Sequence, residues 1–273
     1  MATGRLKGQV AWISGATKGI GEGTAQLFAE EGAAVALIGR NERDGARIER
    51  LIRRRGGKAL FIRCDVAAEE DVRQSIAATV KAFGRLHILV NNAGIVDVRP
   101  LHDTTEAQWD RVIGINLKSM FFAFKHAFPH LRKSRRSYVV NVGSISSFVG
   151  QSGTPVYTTS KGGVLQLSRS IALDYACHGI RCNCVCPGIT DTPMLREHLN
   201  AAPDPDGLLA QRLNRVPLNI ALTPRDVAKS ILYFACEDSA GITGTSLIVD
   251  AMASASRPSA IAARCLRRAG PLR

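Results

Sequence analysis

The sequence predicts an α/β fold: a single-domain doubly wound parallel sheet of about seven strands flanked by helices. Three observations carry this. Short apolar runs alternate with helix-length amphipathic stretches from end to end, so each crossover is long enough to make the next strand parallel. A glycine-rich turn, Ser14 to Gly21, separates the first apolar run from the first helical stretch. The 273 residues, 45% of them hydrophobic, suffice to bury one large core.

The elements follow in order. Val10 to Ser14 is a strand, Gly21 to Glu31 a helix stopped by Gly32, and Ala34 to Ile38 a second strand. Then come the strand Ala59 to Arg63, the helix Ala68 to Phe83, the strand Ile88 to Val90 and a long helix from near Thr105 to Leu131, opened by a capping box at Thr105 and Gln108. Ser137 to Val142 is a strand. It is followed by the helix holding Tyr157 and Lys161, the strand Arg181 to Cys186, a polar insertion from Ile189 to Leu222, a helix from Pro224 and a last strand, Ser246 to Val249. Residues 1–250 form one domain with a lid at 189–222. Residues 251–273 form an Arg-rich tail whose composition predicts mobility.

Several function classes are set aside by composition. The first apolar run is far shorter than a secretory h-region, and the longest uncharged stretch, Ser137 to Ser160, is dense in Ser, Thr and Gly. A cytoplasmic chain with neither signal nor membrane span is expected. Seven cysteines, an odd number, predict reduced thiols. Cys182, Cys184 and Cys186 share one strand face about 7 Å apart, a spacing that does not close around one ion as a CxxC turn does. They read as small buried fillers, and no metal site is expected. The net charge of +13 takes five of its arginines from the tail and lacks interleaved aromatics, so it reads as a solvated or anion-attracting face and not as a nucleic-acid surface.

Ligands of such sheets bind beyond the carboxyl ends of the strands, and the unusual residues gather there. Gly15, Gly19 and Gly21 permit a tight turn, close approach of a pyrophosphate and close helix packing, with the anion at the helix N-terminus. "NNAG", Asn91 to Gly94, closes the fourth strand. Asn116 sits inside a helix, where its amide competes with backbone hydrogen bonding. Ser144 ends the fifth strand. Tyr157 and Lys161, four residues apart, share one helix face. That spacing alone also fits an ordinary half-exposed helix.

In combination and in order, these motifs resemble the short-chain dehydrogenase/reductase family of the single-domain, Rossmann-type class, from about Lys7 to Asp250. The resemblance implies hydride transfer between a nicotinamide dinucleotide and a small carbonyl or secondary-alcohol substrate. Tyr157 would be the acid/base, Lys161 would lower its pKa and bond the nicotinamide ribose, Ser144 would hold the substrate oxygen, and Asn116 would support a water. It implies cofactor contacts from Gly15, Thr17, Lys18, Gly19, Ile20 and Gly21, from Asp65 and Val66, and from Asn92, Ala93 and Gly94. Tyr157, Lys161, Pro187, Gly188, Thr190 and Thr192 complete that set. Ile95, Ser146, Gln151, Met194, Leu195 and His198 are the expected substrate wall. A homo-oligomer, tetramer or dimer, is expected from the large side chains Met120, Phe121, Phe122, Phe124 and Phe128.

The sequence departs from the family at Ser14, which stands for the usual Thr, at Thr190, which stands for an aliphatic residue, and at Val249-Asp250-Ala251-Met252, where Val-Asp-Gly-Gly is common. Cofactor choice rests on "ALIGRNE", Ala36 to Glu42. An acid ending the second strand would accept from the adenosine ribose and repel a 2′-phosphate. Gly39 occupies that position, Arg40 follows with a planar fork, and Lys18 approaches from the turn, so NADP(H) is expected, with NAD(H) the alternative. Two other function classes compete with the enzyme: an idle dinucleotide-binding sensor or partner module, and a nucleic-acid binder.

Overall fold

The computed structural model describes residues 4–251. Met252 and the arginines of the tail lie outside the described residues. Seven strands, β1 (Val10–Ser14), β2 (Ala34–Gly39), β3 (Lys58–Arg63), β4 (Ile88–Asn91), β5 (Ser137–Val142), β6 (Ile180–Pro187) and β7 (Ser246–Val249), form one sheet in the order β3-β2-β1-β4-β5-β6-β7. Every pairing is parallel. The order reverses between β1 and β4, which opens a crevice at their carboxyl ends.

Helices cover both faces because the inner strands are buried on both sides. On one face, α1 (Gly19–Glu30), α2 (Glu42–Arg54) and α9 (Pro224–Phe234) bury Phe28, Ile48, Ile52 and Ile231 against the sheet. On the other, α3 (Glu69–Phe83), α5 (Ser119–Leu131) and α6 (Pro155–Tyr175) bury Ile76, Phe124, Ala127 and Ile171. α1 and α9 approach closely because residue 23 is glycine: a Cβ there would stand 3.2 Å from Pro224.

The structure corrects the sequence reading in two places. The long helix is not continuous. α4 (Glu106–Ile113) passes through a π-helical turn, Gly114–Lys118, into α5. Asn116 lies in this turn, and its buried amide bonds Ile95 of a neighbouring loop and Ser160; π turns of this kind recur at functional sites. The large apolar side chains of α5 also serve the core instead of forming a free face. Met120, Phe122 and Phe124 are buried, Phe128 stacks on Tyr175, and only Phe121 is half exposed.

The insertion at 189–222 folds into α7 (Pro193–Asn200) and α8 (Pro205–Leu213). It leaves and returns at one point, where Asp191 N donates to Leu222 O and Leu222 N to Ile189 O, both at 2.8 Å. Among the described residues, no helix is long and apolar enough to cross a membrane.

Candidate active site

The glycine turn is built around absent side chains. Gly15 has φ +63°, and a Cβ there would lie 2.9 Å from Asn92 Nδ2. One on Gly21 would lie 2.2 Å from the Gly15 carbonyl oxygen. Asn92 locks the turn by donating its amide to Ser14 O at 3.0 Å and Gly15 O at 3.2 Å. Ser14 holds the other side: its Oγ accepts from Asn92 N and Ala93 N, each at 3.0 Å. The hydroxyl kept at position 14 therefore ties the turn to the end of β4. This role was hidden in the sequence, where only the hydroxyl itself was visible.

The chemistry of the turn fits the pyrophosphate of a dinucleotide. α1 begins after Lys18 with no side-chain cap, so its first-turn amides are left for an anion. The Gly19 Cα, at φ +54°, faces Thr192 of the lid, whose Cγ2 is 3.2 Å from where a Cβ would stand. Thr192 itself caps α7 by accepting from Leu195 N. The root of the 189–222 insertion thus packs against the turn.

A second cluster stands at the ends of β4 and β5. Asn116 Oδ1 accepts from Ile95 N at 2.8 Å, and its Nδ2 donates to Ile95 O at 2.9 Å and to Ser160 Oγ at 3.0 Å. Ser160 Oγ donates to the Tyr157 carbonyl at 2.6 Å. Lys161 Nζ donates to the Val142 carbonyl at 2.8 Å and lies 5.7 Å from the Tyr157 ring centroid. Gly94 completes the group: a Cβ there would stand 3.4 Å from Asn116 Oδ1 and 3.6 Å from Lys161 Nζ. Ser144 Oγ accepts from Ser146 N at 3.1 Å, and Ser147 Oγ donates to the Lys161 carbonyl at 2.7 Å. Ser147 and Ser160 are structural partners that the sequence did not single out, because a serine among serines carries no pattern.

Electrostatics differ from the expectation in one respect. Lys161 was expected to depress the Tyr157 pKa, yet in this chain burial pushes the phenol above its ordinary value and the Ser144 hydroxyl draws it partly back. The reason is that the ammonium is committed to Val142 O and is itself pushed down by burial, to about 8.

At the expected adenosine end, Gly39 has no room for a side chain, since a Cβ would lie 2.9 Å from Thr17 Cγ2. Arg40 is exposed and reaches Asp65 at 3.9 Å, while Lys18 reaches Asp44 at 3.5 Å. Both are loose surface pairs. Asp65 also holds the Ala67 amide, and Val66 and Ile20 pack into the two cores. Gly188, after Pro187, packs on Asp250, and Thr190 bonds the Gly188 carbonyl.

The expected wall residues divide. Ser146 donates to Gln151 at 2.8 Å beside Ser144, and Ile95 is clasped by Asn116. Met194 is exposed, and Leu195 lines a cavity of about 190 Å³ within the lid, together with Leu199 and Leu209. His198 bonds Arg212 of α8, and burial lowers its pKa.

The family model described as enoyl-(acyl carrier protein) reductase matches residues 15–251. An uncharacterized oxidoreductase of Thermotoga maritima is 39% identical over 90% of this chain and 97% of its own length. A 2-(R)-hydroxypropyl-CoM dehydrogenase of Xanthobacter autotrophicus is 38% identical over 89% and 97%. The aldohexose dehydrogenase structure from Thermoplasma acidophilum superposes with a TM-score of 0.85 at 32% identity, covering 93% of this chain and 97% of that one. With the glycine turn, the seven-stranded order and the Tyr157 and Lys161 cluster, these matches make the chain a member of the short-chain dehydrogenase/reductase family.

Proposed function

We propose that the chain is an NADP(H)-preferring dehydrogenase or ketoreductase that interconverts a secondary alcohol and a carbonyl, with Tyr157 as the proton donor and acceptor. The observation that carries the reading is the convergence of Gly94, Asn116, Ser144, Tyr157 and Lys161 beyond the carboxyl ends of β4 and β5, beside the point where the strand order reverses. The nicotinamide dinucleotide, when bound, supplies the hydride. The chain's residues do the rest. The uncapped start of α1 and the glycine turn would hold the pyrophosphate, and Ser144 Oγ would accept or donate at the substrate oxygen. Tyr157 would move one proton at that oxygen, and Lys161, swinging from Val142 O, would bond the ribose and stabilise the phenolate. Asn116 bonds Ile95 and Ser160, near the start of α6, and in this reading supports a water that passes the proton on.

Gly39, Arg40 and Lys18 support NADP(H), because the strand ends without an acid and two exposed cations flank the place. Arrangement as a dimer or tetramer is supported by Trp109, Phe121 and Leu173, large apolar side chains left exposed on α4, α5 and α6. A screen of both dinucleotides against cyclic alcohols, sugars, hydroxy acids and keto esters, followed by nicotinamide absorbance, tests the reading. Turnover of one such class supports it, and absence of turnover with every class at both redox states favours the idle dinucleotide binder.

A further inference from the structure

Under the proposed catalytic residues, β6 presents two thiols that hydride transfer does not use. Cys184 and Cys186 are fully buried, and their sulfurs lie 3.6 Å apart. Same-face positions on a strand are about 7 Å apart at Cα, so the contact arises from side chains turned toward each other. The cysteines are the small buried fillers that the strand pattern predicts, and two of their sulfurs also touch.

What they turn toward is the bare Cα of Gly143, on which they pack closely. A Cβ on Gly143 would stand 2.9 Å from Cys184 Sγ, 3.0 Å from Cys186 Sγ and 2.9 Å from Ser147 Oγ. Three heteroatoms thus converge over one missing side chain, one residue before Ser144. The surrounding groups favour an unequal pair. The Cys186 thiol, the Lys161 ammonium and the Gly143 amide draw Cys184 below its ordinary value, while the Cys184 contact and burial push Cys186 up. Cys182, the third cysteine on this face, is engaged elsewhere by Asn141 at 3.7 Å and by Ser168.

We propose that Cys184 and Cys186 form a dithiol site that captures a trivalent arsenical, and that its capture blocks the neighbouring Lys161. A pyramidal centre bonded to both sulfurs suits thiols already in van der Waals contact. A disulfide does not: its sulfurs stand about 2.05 Å apart and its Cβ atoms about 3.8 Å, which strand spacing opposes. A closed structural metal site is not served either, since no group of three or more His, Cys, Asp or Glu gathers among the described residues. With an aryl arsenoxide, each sulfur forms one As–S bond and the As=O bond is lost. The oxygen leaves as water with the two thiol protons, and arsenic stays trivalent, so no oxidant is consumed.

The test uses the full chain, reduced and freed of small thiols, with phenylarsine oxide as the probe. Intact mass and thiol titration after denaturation are the readouts, and neither depends on the function proposed above. The expected result is one arsenic per chain and two thiols lost. After tryptic cleavage the adduct should lie in the 182–196 fragment, with one thiol, Cys182, still open to alkylation. A dithiol should reverse it and a large excess of monothiol should not. Cys184→Ala and Cys186→Ala should each weaken capture by about 100-fold or more, as loss of one of two tethers does, while Cys182→Ala retains it. Should either variant fail to fold, the fragment map of the unaltered chain decides alone. No adduct on the folded chain, arsenic in another fragment, or full capture by folded Cys184→Ala would overturn the proposal.

Discussion

The Lys161 ammonium donates to the Val142 carbonyl at 2.8 Å, inside a site where the lysine is only 4% exposed. Burial holds its pKa at about 8, against an ordinary 10.5. Between those values the unfolded chain binds a proton that the folded chain does not, so folding stability should rise with pH across that window. Below it, the folded protein carries a buried charge at a cost. Lys161→Met should therefore abolish turnover yet raise stability at neutral pH by about 1–3 kcal/mol, and flatten the alkaline rise. Denaturant melts at neutral pH and across the window check this; a variant less stable than the parent at neutral pH contradicts it.

Arg40→Ala should weaken NADPH far more than NADH. A charge-assisted bond of about 1.5–3 kcal/mol corresponds to roughly tenfold to a hundredfold in kcat/KM, and the effect should shrink at high salt because the site is exposed. Equal kcat/KM for the two cofactors in the unaltered protein would show that Gly39 and Arg40 do not set the preference.

Ala251 adopts φ +52°, a left-handed conformation that glycine takes without strain. Left-handed backbone costs a non-glycine residue about 1–2 kcal/mol, partly offset by the greater chain entropy that glycine loses on folding. Ala251→Gly should raise stability by about 0.5–1 kcal/mol with activity unchanged. A lowered Tm would show that the methyl group makes contacts worth more than the strain.

Trp109, Phe121 and Leu173 are 37%, 50% and 82% exposed, more than a monomer gains by leaving open on neighbouring helices. Light scattering at micromolar concentration should report a dimer or tetramer, and Leu173→Glu with Phe121→Glu should dissociate it. A monomeric parent chain contradicts the assignment.

Much of the sheet was legible because parallel strands are short, apolar and punctuated: β1, β5 and β7 fall where the pattern put them. The glycine turn was legible for the same reason, since Gly15 and Gly21 are required by contacts that any Cβ would violate. The π turn at Asn116 was not, because nothing in helical periodicity distinguishes one wider turn inside an otherwise regular helical run. The burial of Phe122 and Phe124 was missed because an apolar run does not say which of its members face the sheet. Nor did strand spacing foresee the Cys184 to Cys186 contact, which depends on side-chain rotation over Gly143.

The central claim is that the Tyr157 hydroxyl carries the proton while its ring only fills space. Tyr157→Phe removes the oxygen and keeps the packing between Ser144 and Lys161. The direct measurement is turnover and dinucleotide affinity of this variant beside the parent, with the same alcohol or ketone. The account predicts a fall in kcat of about a hundredfold or more, the usual share of a general acid or base, with dinucleotide Kd within a few-fold of the parent. Turnover retained within a few-fold would contradict it.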